Sequence, residues 1–99
     1  LENDSLKLQV KPIDLITQLR NLTDIFRVTA NEKGVTFRTY GLEDSLTIWA
    51  DEDKLDKICF NLLSNAMKFT QAGGKVEFGL DVISREEALR LFDLGDKLL

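Results

Sequence analysis

The sequence contains no histidine. A histidine nucleophile, general base or zinc ligand is therefore excluded from anything this chain does by itself. There is one cysteine, Cys59, so no internal disulfide can form, and the usage fits a reducing compartment. No apolar run approaches the ~20 residues that span a bilayer, and the chain does not open on a signal-peptide pattern. With one proline and six glycines, it is neither collagen-like nor of disordered composition. Basic residues are outnumbered, 13 to 17, giving a net charge of −4. That balance disfavours nucleic acid and anionic membrane surfaces as partners. It leaves a phosphate ligand open, because one lysine and a few backbone amides can hold phosphate inside an acidic protein. What remains is an ordinary soluble composition, 43% hydrophobic and 30% charged, over 99 residues, enough for one domain or less.

Hydrophobic periodicity organises the chain. Leu1 to Ser5 is polar and is expected to be loose. Leu6, Leu8 and Val10 alternate with polar residues, the pattern of a half-buried strand, and Pro12 is expected to break it. Asp14 is a candidate helix cap. Leu15, Ile16, Leu19, Leu22, Ile25, Phe26 and Ala30 then recur at helical spacing, and Gly34 reads as the stop. Val35 to Thr39 and Leu46 to Trp49 read as two strands in a hairpin-like pair. Asp51 caps a second helix with apolar positions Leu55, Ile58, Cys59, Leu62, Leu63, Ala66 and Phe69, ended by Gly73–Gly74. Val76, Phe78 and Leu80 alternate as a further strand. Ser84 and Glu87 have capping-box spacing for a short helix to about Phe92. The order β-α-β-β-α-β-α predicts an α+β two-layer sandwich, with helices on one face of a mixed sheet. Trp49, Phe26, Phe37 and Phe78 are expected in the core, and Cys59 as a small core residue.

The second helix carries the chemistry. On a helical wheel, Asn61, Asn65 and Lys68 fall within an arc of about 60° at the edge of the apolar face. Asparagine is a mediocre helix former, because its amide competes for backbone hydrogen bonds. An amide oxygen is a hard neutral ligand suited to magnesium, and a lysine one turn on is a point charge suited to phosphate. Spacing alone favours a simpler reading, two solvated surface amides.

The run Asp51 to Thr70, DEDKLDKICFNLLSNAMKFT, adds much more. It resembles the N box of the ATP-binding domain of bacterial sensor histidine kinases. The resemblance rests on Asp51, Lys54 and Leu55, on Asn61 to Ala66, and on Lys68, Phe69 and Thr70. The strand and helix entry at Pro12 to Asp14, Trp49–Ala50 just before the box, and the Gly73–Gly74 turn with its strand follow the same pattern. The resemblance covers Leu6 to Leu80 within a partial domain, residues 1–99, of an incomplete Bergerat-type fold. It leaves Ser84 to Leu99 as a divergent tail or insertion.

The resemblance implies ATP and Mg²⁺ as ligands of the complete domain. It places Asn65 on the magnesium that bridges the phosphates, Asn61 beside it on the same cluster, and Lys68 on phosphate. Phe69 stands where many members have tyrosine, so it can pack near the nucleotide but donates no hydroxyl hydrogen bond. Gyrase-like and chaperone-like relatives tend to carry a glutamate base at the position of Asn61. An amide cannot accept that proton, so hydrolysis is disfavoured and phosphotransfer favoured. The one candidate for the family's Asp-x-Gly-x-Gly box is Asp93 to Lys97. It has Lys97 in place of the second glycine and follows a helical segment instead of the strand that should precede the box, so it is not expected to be the adenine site. No lid or later glycine loop follows before Leu99, so the chain alone is expected to be inactive, with no catalytic residue of its own. Expected partners of the parent are a nucleotide, an upstream histidine-bearing dimerisation domain and a response-regulator receiver domain. The expected location is the cytoplasmic portion of a membrane-anchored sensor. The unfinished fold makes a homodimer of the fragment a further expectation. The alternative is a relative of the same fold that binds a protein and no nucleotide.

Overall fold

The computed structural model describes residues 7–98. The stretch expected to be loose, Leu1 to Ser5, and the strand position Leu6 lie outside them, as does Leu99. The chain runs β1 (Val10–Asp14), α1 (Leu15–Lys33), β2 (Thr36–Tyr40), β3 (Thr47–Asp51), α2 (Glu52–Phe69), β4 (Lys75–Gly79) and α3 (Arg85–Leu98). This is the expected α+β class.

Both long helices begin and end where local chemistry directs. Asp14 caps α1, accepting from the Thr17 backbone N–H at 3.4 Å and from its hydroxyl at 2.7 Å. Gly34 closes α1 in the left-handed region at φ 78°, and the Val35 N–H returns to the Ala30 carbonyl at 2.9 Å. Asp51 caps α2, accepting from the Lys54 N–H at 3.1 Å. Its other oxygen takes the Gln9 N–H at 2.7 Å, which ties the segment before β1 to the start of α2. Ser84 caps α3 through the Glu87 N–H at 3.1 Å.

The strands pair differently from the expected hairpin. β3 pairs antiparallel with β1, Pro12 opposite Trp49. β2 pairs in parallel with β4, Phe37 beside Val76. The described strands thus form two separate two-stranded sheets, one antiparallel and one parallel. The reason lies in the segment between β2 and β3. Leu42 is buried against Ile16 and Leu19 of α1. The Arg20 guanidinium donates to the Leu42 and Glu43 carbonyls. The Leu15 N–H donates to the Leu46 carbonyl at 2.9 Å. The segment is held along the first half of α1, so it cannot fold β3 back onto β2. Pro12 does not break β1; it sits inside it, in a strand paired on one side only, where a missing N–H is tolerated.

The main core lies between α1, α2 and the parallel pair, with Leu22, Phe26, Ala30, Val35, Leu63, Met67 and Val76 buried together. Phe37 and Phe78 pack partly buried against it. Phe26 meets Phe60 of α2 in a tilted ring contact at 5.2 Å. Trp49 does not join this core: it is 72% exposed, because its position in β3 faces away from the helices.

Candidate functional site

Helix α2 is anchored at both ends. Asp51 fixes its entry, and the Lys33 ammonium of α1 donates to the carbonyls of Met67 and Lys68 in its last turn. Neighbouring N–H groups, that of Gln9 before that of Lys54, hold the Asp51 carboxyl below the usual aspartate range. The helix is therefore set rigidly in azimuth, and each side chain's direction follows.

The inward face is narrower than the apolar pattern implies. Leu63 and Met67 are buried, with Cys59 and Ala66 packed partly buried beside them. Ile58, Leu62 and Phe69, which belong to the apolar arc of the helical wheel, are 56%, 60% and 75% exposed. One helix resting on α1 and a narrow sheet can cover only one stripe, and the rest of the apolar arc faces water. Met67 was absent from the sequence-derived core. Its one signal was spacing, four residues beyond Leu63.

Asn61, Asn65 and Lys68 are all exposed on α2, on the side of the buried stripe where Ile58 and Phe69 also emerge. The structure so brings together one exposed surface with two amides, one ammonium and an apolar flank. The Lys68 ammonium lies 5.5 Å from the centre of the Phe69 ring, a cation–π distance that draws these two side chains together. No group of three or more His, Cys, Asp or Glu is placed to hold a metal among the described residues. A divalent ion on this surface would take the amide oxygens of Asn61 and Asn65, with water and phosphate oxygens completing its shell. Hard oxygen donors of this kind, neutral from the amides and water and anionic from phosphate, suit Mg²⁺.

Asp93 to Lys97, the candidate disfavoured as a glycine box, lies inside α3. α3 extends to Leu98, beyond the Phe92 end expected from the sequence. A helix closes backbone N–H groups into its own bonds, so this segment offers no loop amides to a nucleotide. Cys59 is half-buried, and burial first, then the nearby Asp56 carboxylate, pushes its thiol up. It is a packing residue.

No family model matches the chain. The fold is that of histidine kinase cytoplasmic segments. The chain superimposes on the cytoplasmic segment of the histidine kinase QseC with a TM-score of 0.66, at 22% identity, covering 82% of this chain and 54% of that one. It matches the Acinetobacter baumannii histidine kinase AdeS with the same TM-score, at 18% identity, covering 84% of this chain and 41% of that one.

Among curated proteins, the chain is 33% identical over 89 residues to the autoinducer 2 sensor kinase/phosphatase LuxQ of Vibrio vulnificus, covering 88% of this chain and 10% of LuxQ. It is 30% identical over 90 residues to the signal transduction histidine-protein kinase BaeS of Escherichia coli, covering 91% of this chain and 19% of BaeS. It is 32% identical over 77 residues to the sensor histidine kinase WalK of Bacillus subtilis, covering 78% of this chain and 12% of WalK. The chain is a relative of the sensor histidine kinases, and it spans between a tenth and a fifth of the length of these three.

Proposed function

We propose that the chain is the front part of the ATP-binding domain of a sensor histidine kinase, with α2 as its magnesium–phosphate face. In this reading Asn65 and Asn61 hold Mg²⁺ on the ATP phosphates, Lys68 contacts phosphate, and Phe69 packs near the nucleotide. The observation that carries it is the shared exposure of Asn61, Asn65 and Lys68 on one face of a helix anchored at both ends. Bound magnesium would supply charge neutralisation between the phosphates. The amides orient that ion, and the Lys68 ammonium adds a positive charge on the same side. Asn61 cannot act as a base toward water, so ATP is kept intact for transfer of its γ-phosphate to a histidine. With no histidine of its own, this chain takes that acceptor from a partnering dimerisation domain, and a response regulator receives the phosphate next. The parent acts at the cytoplasmic side of a membrane sensor.

The test is Mg²⁺–ATP titration of the complete domain with Asn65→Ala. The expected result is at least a tenfold loss of affinity and loss of phosphotransfer. Unchanged affinity and transfer would defeat the reading. A second reading, a protein-binding relative without nucleotide, is favoured by the helical state of Asp93 to Lys97. Calorimetry on the 99-residue chain separates the two in part. We expect weak or undetectable ATP affinity for the chain alone; micromolar binding would refute that expectation and exclude the second reading as well.

A further inference from the structure

We propose that the open edge of β2 takes up an extended segment of a protein partner as an added antiparallel strand. That segment carries a carboxylate opposite Arg38 and uncharged side chains on either side of it. The proposal is independent of the nucleotide reading and uses none of its residues.

The backbone decides that the occupant is a strand. The Thr36 N–H donates to the Gly74 carbonyl at 2.9 Å, and the Tyr40 carbonyl accepts from the Leu80 N–H at 3.1 Å. Along a strand, the main-chain groups of alternate residues point to opposite edges. Thr36, Arg38 and Tyr40 therefore serve the pairing with β4, and Phe37 and Thr39 turn their N–H and C=O groups to the other side. Among the described residues no strand pairs there, since β2 and β4 make a two-stranded sheet. An antiparallel strand that exchanges both bonds with Phe37 and both with Thr39 satisfies all of these groups, which is how sheet edges bind peptides. A groove of about 790 Å³ runs between β2 and the second half of α1, with Val28, Asn31 and Glu32 on the helix wall and Val35 and Phe37 on the strand wall. It gives the added strand's inward side chains a place to lie.

The side chains decide which strand. Phe37 and Thr39 face α1. The Arg27 guanidinium lies 5.4 Å from the centre of the Phe37 ring and donates to the Thr39 hydroxyl at 3.3 Å. Arg27 is thus engaged, and Asp24 and Glu32 line the same groove. A charge of either sign on this side meets its like, so the two residues that face it are uncharged. Thr36, Arg38 and Tyr40 face the other way and are exposed. Among the described residues the Arg38 guanidinium takes part in no ion pair or hydrogen bond, and Glu77, its neighbour in register, lies 3.9 Å from the Lys75 ammonium instead. Arg38 is also the middle residue of β2. In a strand held at Phe37 and Thr39, the residue opposite Arg38 falls in the close pair that shares no main-chain bond. A carboxylate at that place meets the planar, two-pronged guanidinium. A second copy of β2 in the same register would set Arg38 against Arg38, so the same charge turns self-pairing away.

The probe is a capped, fluorescently labelled peptide, Thr-Val-Glu-Val-Thr, followed by anisotropy against the 99-residue chain. One control carries lysine in place of the glutamate, and another carries N-methyl groups on both valines. The glutamate peptide is expected to bind at least about fivefold more tightly than the lysine peptide, with the difference shrinking as salt rises. N-methylation removes two donors to the edge and should weaken binding at least about tenfold. Arg38→Glu should reverse the order of the two charged peptides. Arg38 is exposed and its guanidinium is unpaired, so unchanged melting of that variant certifies its fold. Binding at the open side of β4, where Lys75 and Glu77 pair with each other, would show no such reversal. No binding of any peptide at millimolar concentration would overturn the proposal, as would an order unchanged by Arg38→Glu or undiminished binding of the N-methylated peptide. So would a dimer of the unaltered chain that the glutamate peptide disperses, which would make a second copy the occupant.

Discussion

Leu62 and Leu63 are neighbours on α2 with the same side chain, and truncating each to alanine should have very different consequences. Leu63 is 2% exposed and sits among Leu22, Phe26, Ala30, Val35, Met67 and Val76. Leu63→Ala removes buried methyl groups and leaves a cavity between α1, α2 and the parallel strands, at a cost of about 3 kcal/mol, within the ~2–5 kcal/mol range of such changes. A domain of this length is held by roughly 5–15 kcal/mol, so the loss is a large share. At ~4–8 °C per kcal/mol it lowers the melting temperature by about 12–24 °C. Leu62 is 60% exposed, so Leu62→Ala removes contacts mostly with water and should cost about 0.5 kcal/mol or less. Urea unfolding followed by far-UV circular dichroism measures both, with m expected to be shared. Equal costs for the two variants, or a larger cost for Leu62→Ala, would refute the azimuth assigned to α2. The placement of Asn61, Asn65 and Lys68 would fall with it, since they share that helix.

Three further outcomes are expected. Asp51→Ala removes the cap of α2 and the partner of the Gln9 N–H, and should lower the melting temperature. Because hydrogen bonds lower the folded pKa of Asp51 relative to its unfolded value, its stabilisation is complete above the ordinary aspartate range near 4. It is lost as pH falls through the depressed value, so the gap between wild type and Asp51→Ala should close on acidification; a gap that widens below pH ~4 contradicts the assignment. Gly41→Ala should be far more damaging than Gly73→Ala in thermal melts. Both have positive φ, but a Cβ at Gly41 would stand 1.9 Å from the Leu80 carbonyl oxygen, whereas at Gly73 it meets open space. Gly73→Ala carries only the left-handed backbone cost of roughly 1–2 kcal/mol, and similar melting of the two variants would show the Gly41 contact to be absent. Cys59, half-buried and with its thiol pKa raised, should react slowly with iodoacetamide at neutral pH and quickly in denaturant; equal rates would show the thiol to be open.

What the sequence determined by itself is what a few neighbouring residues decide. Asp14, Asp51 and Ser84 each cap a helix because the carboxylate or hydroxyl meets an N–H three residues on. Gly34 ends α1 because only glycine enters the left-handed region without penalty. Asn61, Asn65 and Lys68 share one side of α2 because helical geometry puts them there.

Tertiary structure decided which surfaces meet. The apolar arc of α2 did not reveal that Leu63 and Met67 face inward while Ile58, Leu62 and Phe69 face water, since that depends on where α1 and the strands lie. The alternation of β2 and β3 did not reveal that each pairs elsewhere, since Arg20 and Leu42 reroute the chain between them. Trp49 looked like core by residue type and lies outside it, because its strand turns that side outward. Hydrogen bonds across three or four residues are written locally, whereas burial is a competition among segments distant in the chain, and only the assembled fold settles which of them wins.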